Sequence, residues 1–137
     1  MIELHPEYLN KIANQIIVIS SLLSGFSIAV LANLLVTKTE DKISNYILKT
    51  TTIAAASFLV AVFSMTKIVM MTTEGYPIKL ESGDLDFPKL VGFGTFILGI
   101  ISLSLLIALS GWTKSRRTGI FTTIIGILTL LMILLNL

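Results

Sequence analysis

Residues 12–36 read IANQIIVISSLLSGFSIAVLANLLV, a run of 25 residues without one charge. A helix needs about 20 consecutive apolar residues to cross a hydrocarbon core about 30 Å thick, so this run can span a bilayer. Three more runs follow, at 47–72, 90–112 and 118–137, with only short polar segments between them. The second contains Lys49 near its start and Lys67 near its end, with seventeen uncharged residues between them. That span reaches full length if the long stem of one lysine carries its ammonium to the surface.

Composition agrees with the runs. The 137 residues are 54% hydrophobic and 13% charged, where a soluble domain carries about 25% charge. Mean hydropathy is +0.91. The expected fold is all-α, a four-helix integral membrane protein in which residues 1–137 form one unit. The chain opens with Glu3 and Glu7 in place of a basic leader segment. The first run is therefore expected to stay as a span, with Pro6 in the first turn of its helix. His5 reads as a solvated side chain and Tyr8 as a headgroup-level anchor. The last run is expected to end the chain without a soluble tail.

Several function classes lose their chemistry here. There is no cysteine, which removes disulfides, thiolate metal sites and cysteine nucleophiles. None of the four runs holds an Asp, Glu or His, so catalysis and proton-coupled export lack an embedded acid or base. Glu81, Asp84 and Asp86 fall short of the ligand count of a Ca²⁺ site, and no metal or other cofactor is expected. A net charge of +2 spread over several loops offers no basic face for nucleic acid.

The basic residues do orient the chain. Lys38, Lys42, Lys49, Lys114, Arg116 and Arg117 follow spans one and three, whereas Lys11, Lys67, Lys79 and Lys89 lie toward the other side, six against four. The positive-inside rule then puts both short turns in the cytoplasm and both termini outside, in a plasma (inner) membrane. The longest loop, 73–89, alternates apolar and polar residues about Ser82-Gly83-Asp84, which predicts a small β-hairpin or a loop between spans two and three. Gly92, Gly94 and Gly99 of span three, and Gly119, Thr122, Thr123 and Gly126 of span four, read as close-packing surfaces.

Span one carries a different pattern. At 3.6 residues per turn, Asn14, Val18, Ser21, Gly25, Ile28, Ala29 and Ala32 share one side of the helix, with Asn33 at its edge. A helix that only contacts lipid has no use for such a stripe. Two uses fit it: tight packing of the small-xxx-small type, or the lining of a water path. Asn33 needs a hydrogen-bonding partner in either case, because a bare amide in hydrocarbon is costly. In a symmetric oligomer it would form a ring of amides near a pore mouth. Lys67 reads as a snorkelling side chain, or as a mouth charge that selects anions.

Within that stripe, Ser21-Leu22-Leu23-Ser24-Gly25-Phe26 resembles the pore-lining first helix of the Orai calcium channels, which carries a similar Leu-Leu-Ser-Gly-Phe core in a four-span subunit. The resemblance implies a homo-oligomer, hexameric in that family, with first helices around a central pore. It would place Asn14, Val18, Leu22, Gly25, Phe26 and Ala29 at or beside the pore, and Asn33 where the family has its selectivity glutamate. With asparagine there, tight Ca²⁺ selectivity is not implied. The basic residues at the inner end of the family's helix have no counterpart here, and the charge count gives the opposite orientation of the N-terminus.

The expectation is thus a homo-oligomeric channel or pore passing ions, lined by span one. The competing expectation is an accessory membrane subunit that binds a partner protein through residues 73–89 or 113–117.

Overall fold

The computed structural model describes residues 5–37 and 40–137. The expectations resting on residues 1–4 and on Lys38 lie outside them. The described residues form four α-helices, α1 (Pro6–Val36), α2 (Lys42–Thr72), α3 (Asp86–Ser110) and α4 (Arg116–Asn136), with a 3-10 turn at Gly111–Thr113 continuing α3. All four are long and apolar enough to cross a membrane, which makes the chain a multi-pass membrane protein.

The helices begin earlier than the apolar runs. Pro6 opens α1. Pro88 sits in the first turn of α3, where its missing N–H is one that the helix could not use. Lys42 and Lys49 both fall within α2, because solvated polar turns extend a helix at little cost. From Lys49 to Lys67 is about 27 Å of helix, nearly one hydrocarbon thickness. Lys67 is exposed, as a snorkelling lysine needs to be.

Of the hairpin or loop expected between spans two and three, the loop forms: there is no strand among the described residues. Residues 73–85 run through turns instead. Asp84 accepts a hydrogen bond from the Glu81 N–H at 2.8 Å, and the Asp86 N–H donates to the Gly83 carbonyl at 3.0 Å. Gly83 takes a φ of 111°, which its lack of a Cβ permits. Leu85 and Phe87, whose alternation suggested a strand, are consumed by the start of α3. A lone hairpin with nothing to pack on is marginal, and the helix start wins.

The helices pack in chain order, α1 on α2, α2 on α3 and α3 on α4, with α2 the middle element. The α1–α2 seam is built from small residues. Ala13, Ser20, Ser24 and Ser27 of α1 are buried, as are Thr51, Ala54, Ala55, Ser57 and Ala61 of α2. The Ser24 hydroxyl donates across the seam to the Ala55 carbonyl at 3.4 Å. The α2–α3 seam instead joins bulk to glycine. A Cβ on Gly99 would lie 2.7 Å from the Phe58 ring, and one on Gly92 would lie 2.6 Å from the Met65 methyl. Phe58 also meets Phe96 edge-on, with ring centroids 6.3 Å apart at 68°.

Span four closes on span three through Gly126, whose Cβ position is 2.8 Å from the Ser104 carbonyl oxygen, and through Gly119, which lies under the Trp112 ring. The Thr122 hydroxyl donates to the Ala108 carbonyl at 3.0 Å, and the Trp112 indole donates to the Thr123 hydroxyl at 2.9 Å. These residues do form a close-packing surface. Gly94 does not: it is exposed, and a Cβ there would meet nothing within 4 Å.

One seam residue is unsatisfied. The Ser20 hydroxyl is buried and has no hydrogen-bond partner among the described residues. Leaving such a group unpaired costs about 1–3 kcal/mol, so deleting it should be free or favourable. Ser20→Ala is expected to match or exceed the parent in resistance to denaturation in mild detergent. A clear loss of stability would show that the hydroxyl has a partner.

Candidate functional site

The long first helix has three faces. One meets α2 through Leu9, Ala13, Ile16, Ser20, Ser24 and Ser27. A second, carrying Ile12, Ile19 and Leu23, turns toward α3 and the far end of α4. The third is the small-residue stripe, roughly 140° around the helix from the α2 seam by the 3.6-residue period. Asn14, Val18, Ser21, Gly25, Ala29 and Asn33 are all exposed on it. Leu22 and Phe26 border it and are 61% and 69% exposed. The packing of the stripe is therefore not spent inside the protomer. The chain uses a separate serine and alanine face to hold α1 on α2.

At mid-helix the stripe is open. A Cβ on Gly25 would meet nothing within 4 Å, in contrast to the occupied glycines of α3 and α4. The two ends carry amides. Asn14 donates to the Asn10 carbonyl and to the Asn10 side-chain oxygen, both at 3.0 Å. Asn10 in turn donates to the Thr72 hydroxyl at 2.8 Å and the Val69 carbonyl at 3.3 Å. A polar chain thus ties the upper end of the stripe to the last turn of α2.

Asn10 is the residue that pattern reading passed over, because it stands before the apolar run. Its signal was an Asn-x-x-x-Asn pair one helical turn apart. Removing its bonds should cost about 0.6–1.7 kcal/mol, the range measured for hydrogen bonds between membrane helices. Asn10→Leu is expected to lower the denaturation midpoint in detergent by that amount, while Asn14→Leu loses less because its bonds stay within α1. Equal stability of Asn10→Leu and the parent would count against this clamp.

At the other end, the side-chain amide of Asn33 has no hydrogen bond among the described residues, while its backbone carbonyl accepts from the Thr37 N–H and hydroxyl at 3.2 and 3.0 Å. The contacts of Asn10 with Thr72 and of Ser24 with Ala55 set an antiparallel register in which Asn33 stands near Tyr46 and Ile47 of α2. That is beyond the level of Lys49, toward the connection between α1 and α2. From Asn14 to Asn33 the stripe runs about 28 Å, one hydrocarbon thickness between two amides.

The remaining site candidates stand apart from the stripe, on other elements. Lys67 is an exposed residue of α2. The basic turn exposes Lys114, Arg116 and Arg117, and Ser115 caps α4 by accepting from the Thr118 N–H at 3.2 Å. Two arginines at a helix N-terminus oppose its dipole, so folding does not explain them, whereas anionic headgroups would welcome them. In the 73–85 segment Ile78 and Leu80 are exposed, 63% and 40%.

No family model matches this chain, and no curated protein or solved structure is similar to it at a significant level.

Proposed function

We propose that the chain is the protomer of a homo-oligomeric membrane channel or pore, weakly selective among ions, with α1 around the path. One observation carries the reading: the small and polar stripe of α1 is turned away from the other three helices of its own protomer. A pore shared between protomers needs such a face on the outside of each subunit, and lipid gives no reason for it. Gly25 and Ser21 would supply a wide, small-residue middle, and Asn33 a ring of amides at one mouth. Without a carboxylate in the stripe, divalent cations gain no strong site. With the basic turns on the cytoplasmic side, both termini would face outward.

The test is ion flux from liposomes holding the purified, oligomeric protein. Flux is expected, and Asn33→Leu is expected to change its ion preference. Absence of flux in oligomeric, correctly inserted preparations would leave the partner-binding role, with the exposed Ile78 and Leu80 segment or the basic turn as docking surface.

Accessibility along α1 separates the two roles directly, and the chain has no native cysteine to interfere. Single cysteines at Val18, Ser21, Gly25 and Ala29 are expected to react with a water-soluble thiol reagent in the assembled protein, while Ser20, Ser24 and Ser27 stay silent. Silence at both sets would mean that the stripe packs dry.

A further inference from the structure

A cleft of about 620 Å³ opens between the first halves of α1 and α3 and the far end of α4. Its walls are apolar, with Ile12, Ile16 and Ile19 from α1 facing Phe93, Phe96 and Ile97 from α3. It continues deeper into a second hollow of about 470 Å³ that shares Ile19 and Phe96 and reaches Leu23 and Ile100. Polar groups gather at the α1 start: Tyr8, Lys11 and Gln15. From Asn14, where the hydrocarbon-length stripe begins, to Leu23 is about 14 Å of helix, close to half of a hydrocarbon core about 30 Å thick. Tyr8 and Lys11 lie at headgroup level beyond it. The cleft and its continuation therefore have the depth of one leaflet, charged at the headgroup end and mostly apolar toward the midplane, where Asn136 of α4 adds one amide.

Lys11 is the single charged residue lining it. Lys11 is in no ion pair among the described residues, whereas Lys89, at the same end of the molecule, sits 3.9 Å from Asp86. Lys11 also borders a second depression that holds Glu7, one turn away, with Asn10 and Thr72. Glu7 does not line the cleft and forms no ion pair with Lys11 among the described residues. An unpaired cation above an apolar trough complements a molecule with a negative head and a hydrocarbon tail.

We infer that the cleft binds an anionic phospholipid of the leaflet at the α1 N-terminal end. The phosphate group sits at Lys11, with Tyr8 and Gln15 able to donate hydrogen bonds to it, and one acyl chain lies between α1 and α3. This site uses a different face of α1 from the stripe, so it stands or falls independently of ion conduction.

Full-length protein in mixed micelles holding equal amounts of phosphatidylglycerol and phosphatidylcholine, with the same acyl chains, provides the test by native mass spectrometry. Wild type is expected to retain phosphatidylglycerol about fivefold over phosphatidylcholine, the scale of one lysine near an anionic headgroup. Lys11→Gln should abolish the preference and Lys11→Arg keep it. Ile97→Trp should fill the trough and lose the retained lipid while its helical circular dichroism is unchanged. Equal retention of the two lipids by wild type, an unaltered preference in Lys11→Gln, or undiminished lipid on Ile97→Trp would each overturn the assignment. So would an oligomer that carries no lipid, since a second copy would then occupy the cleft.

Discussion

Gly25→Leu is expected to reduce ion flux in liposomes by about tenfold or more, because a ring of leucines at mid-membrane makes a hydrophobic constriction that dewets. The same substitution should leave the protomer as stable as before, or more so. Nothing lies within 4 Å of the position a Cβ would take, so no neighbour has to move. Removing a glycine from a helix interior also gains about 0.5–1 kcal/mol in backbone entropy. Gly25 stands about 12 Å from Asn33 along the helix, far enough that the two act on different parts of a path. Flux and thermal denaturation measured on one preparation decide the matter. Unchanged flux in Gly25→Leu would remove α1 from the pore, whatever else conducts.

Gly99→Ala is expected to do the reverse, lowering stability by about 1–3 kcal/mol through overpacking. Its Cβ would stand 2.7 to 2.9 Å from three carbons of the Phe58 ring. Phe58 is fully buried and already meets the Phe96 ring edge-on. The cost should be largely returned by Phe58→Leu in the same chain, even though Phe58→Leu alone destabilises by emptying the site. A double-mutant cycle in denaturing detergent measures that coupling. Additive losses from Gly99→Ala and Phe58→Leu would mean that the ring and the glycine are not in contact.

The two glycines show what a chain read alone can and cannot reveal. Four spans were legible, because runs such as 90–112 contain no charge and are too long for anything but a bilayer crossing. Their ends were less so, since a count of apolar residues stops at Ile47 while the helix begins at Lys42. Between hairpin and loop the sequence did not decide, because Leu85-Asp86-Phe87 alternates over too few residues to tell a strand from the first turn of a helix. On α1 the 3.6-residue period placed the stripe residues on one side of the helix. It could not say which small-residue face would meet α2, since Ser20, Ser24 and Ser27 look as suitable as Ser21, Gly25 and Ala29. That choice belongs to the partner surface, where Ala55 of α2 receives Ser24. Gly92, Gly94 and Gly99 were alike on paper, and only the presence of Met65 and Phe58 opposite two of them makes the third dispensable.

Those sockets also constrain how the molecule can move. Phe58 and Met65 are seven residues apart on α2, as are Gly99 and Gly92 on α3, so both bulky side chains seat at once. Two matched teeth work like a vernier: sliding α2 along α3 by one turn would drive both knobs out of glycine and onto bulkier neighbours together. Piston motion is blocked at that seam. The middle of the α1–α2 seam, from Ser20 to Ser27, is lined by small residues with one interhelical hydroxyl contact, while Leu9, Ile16 and a polar clamp hold its other end. The far half of α1, past Ser20, is thus the part of that seam held by the least bulk, and Asn10 pins the near half to the last turn of α2.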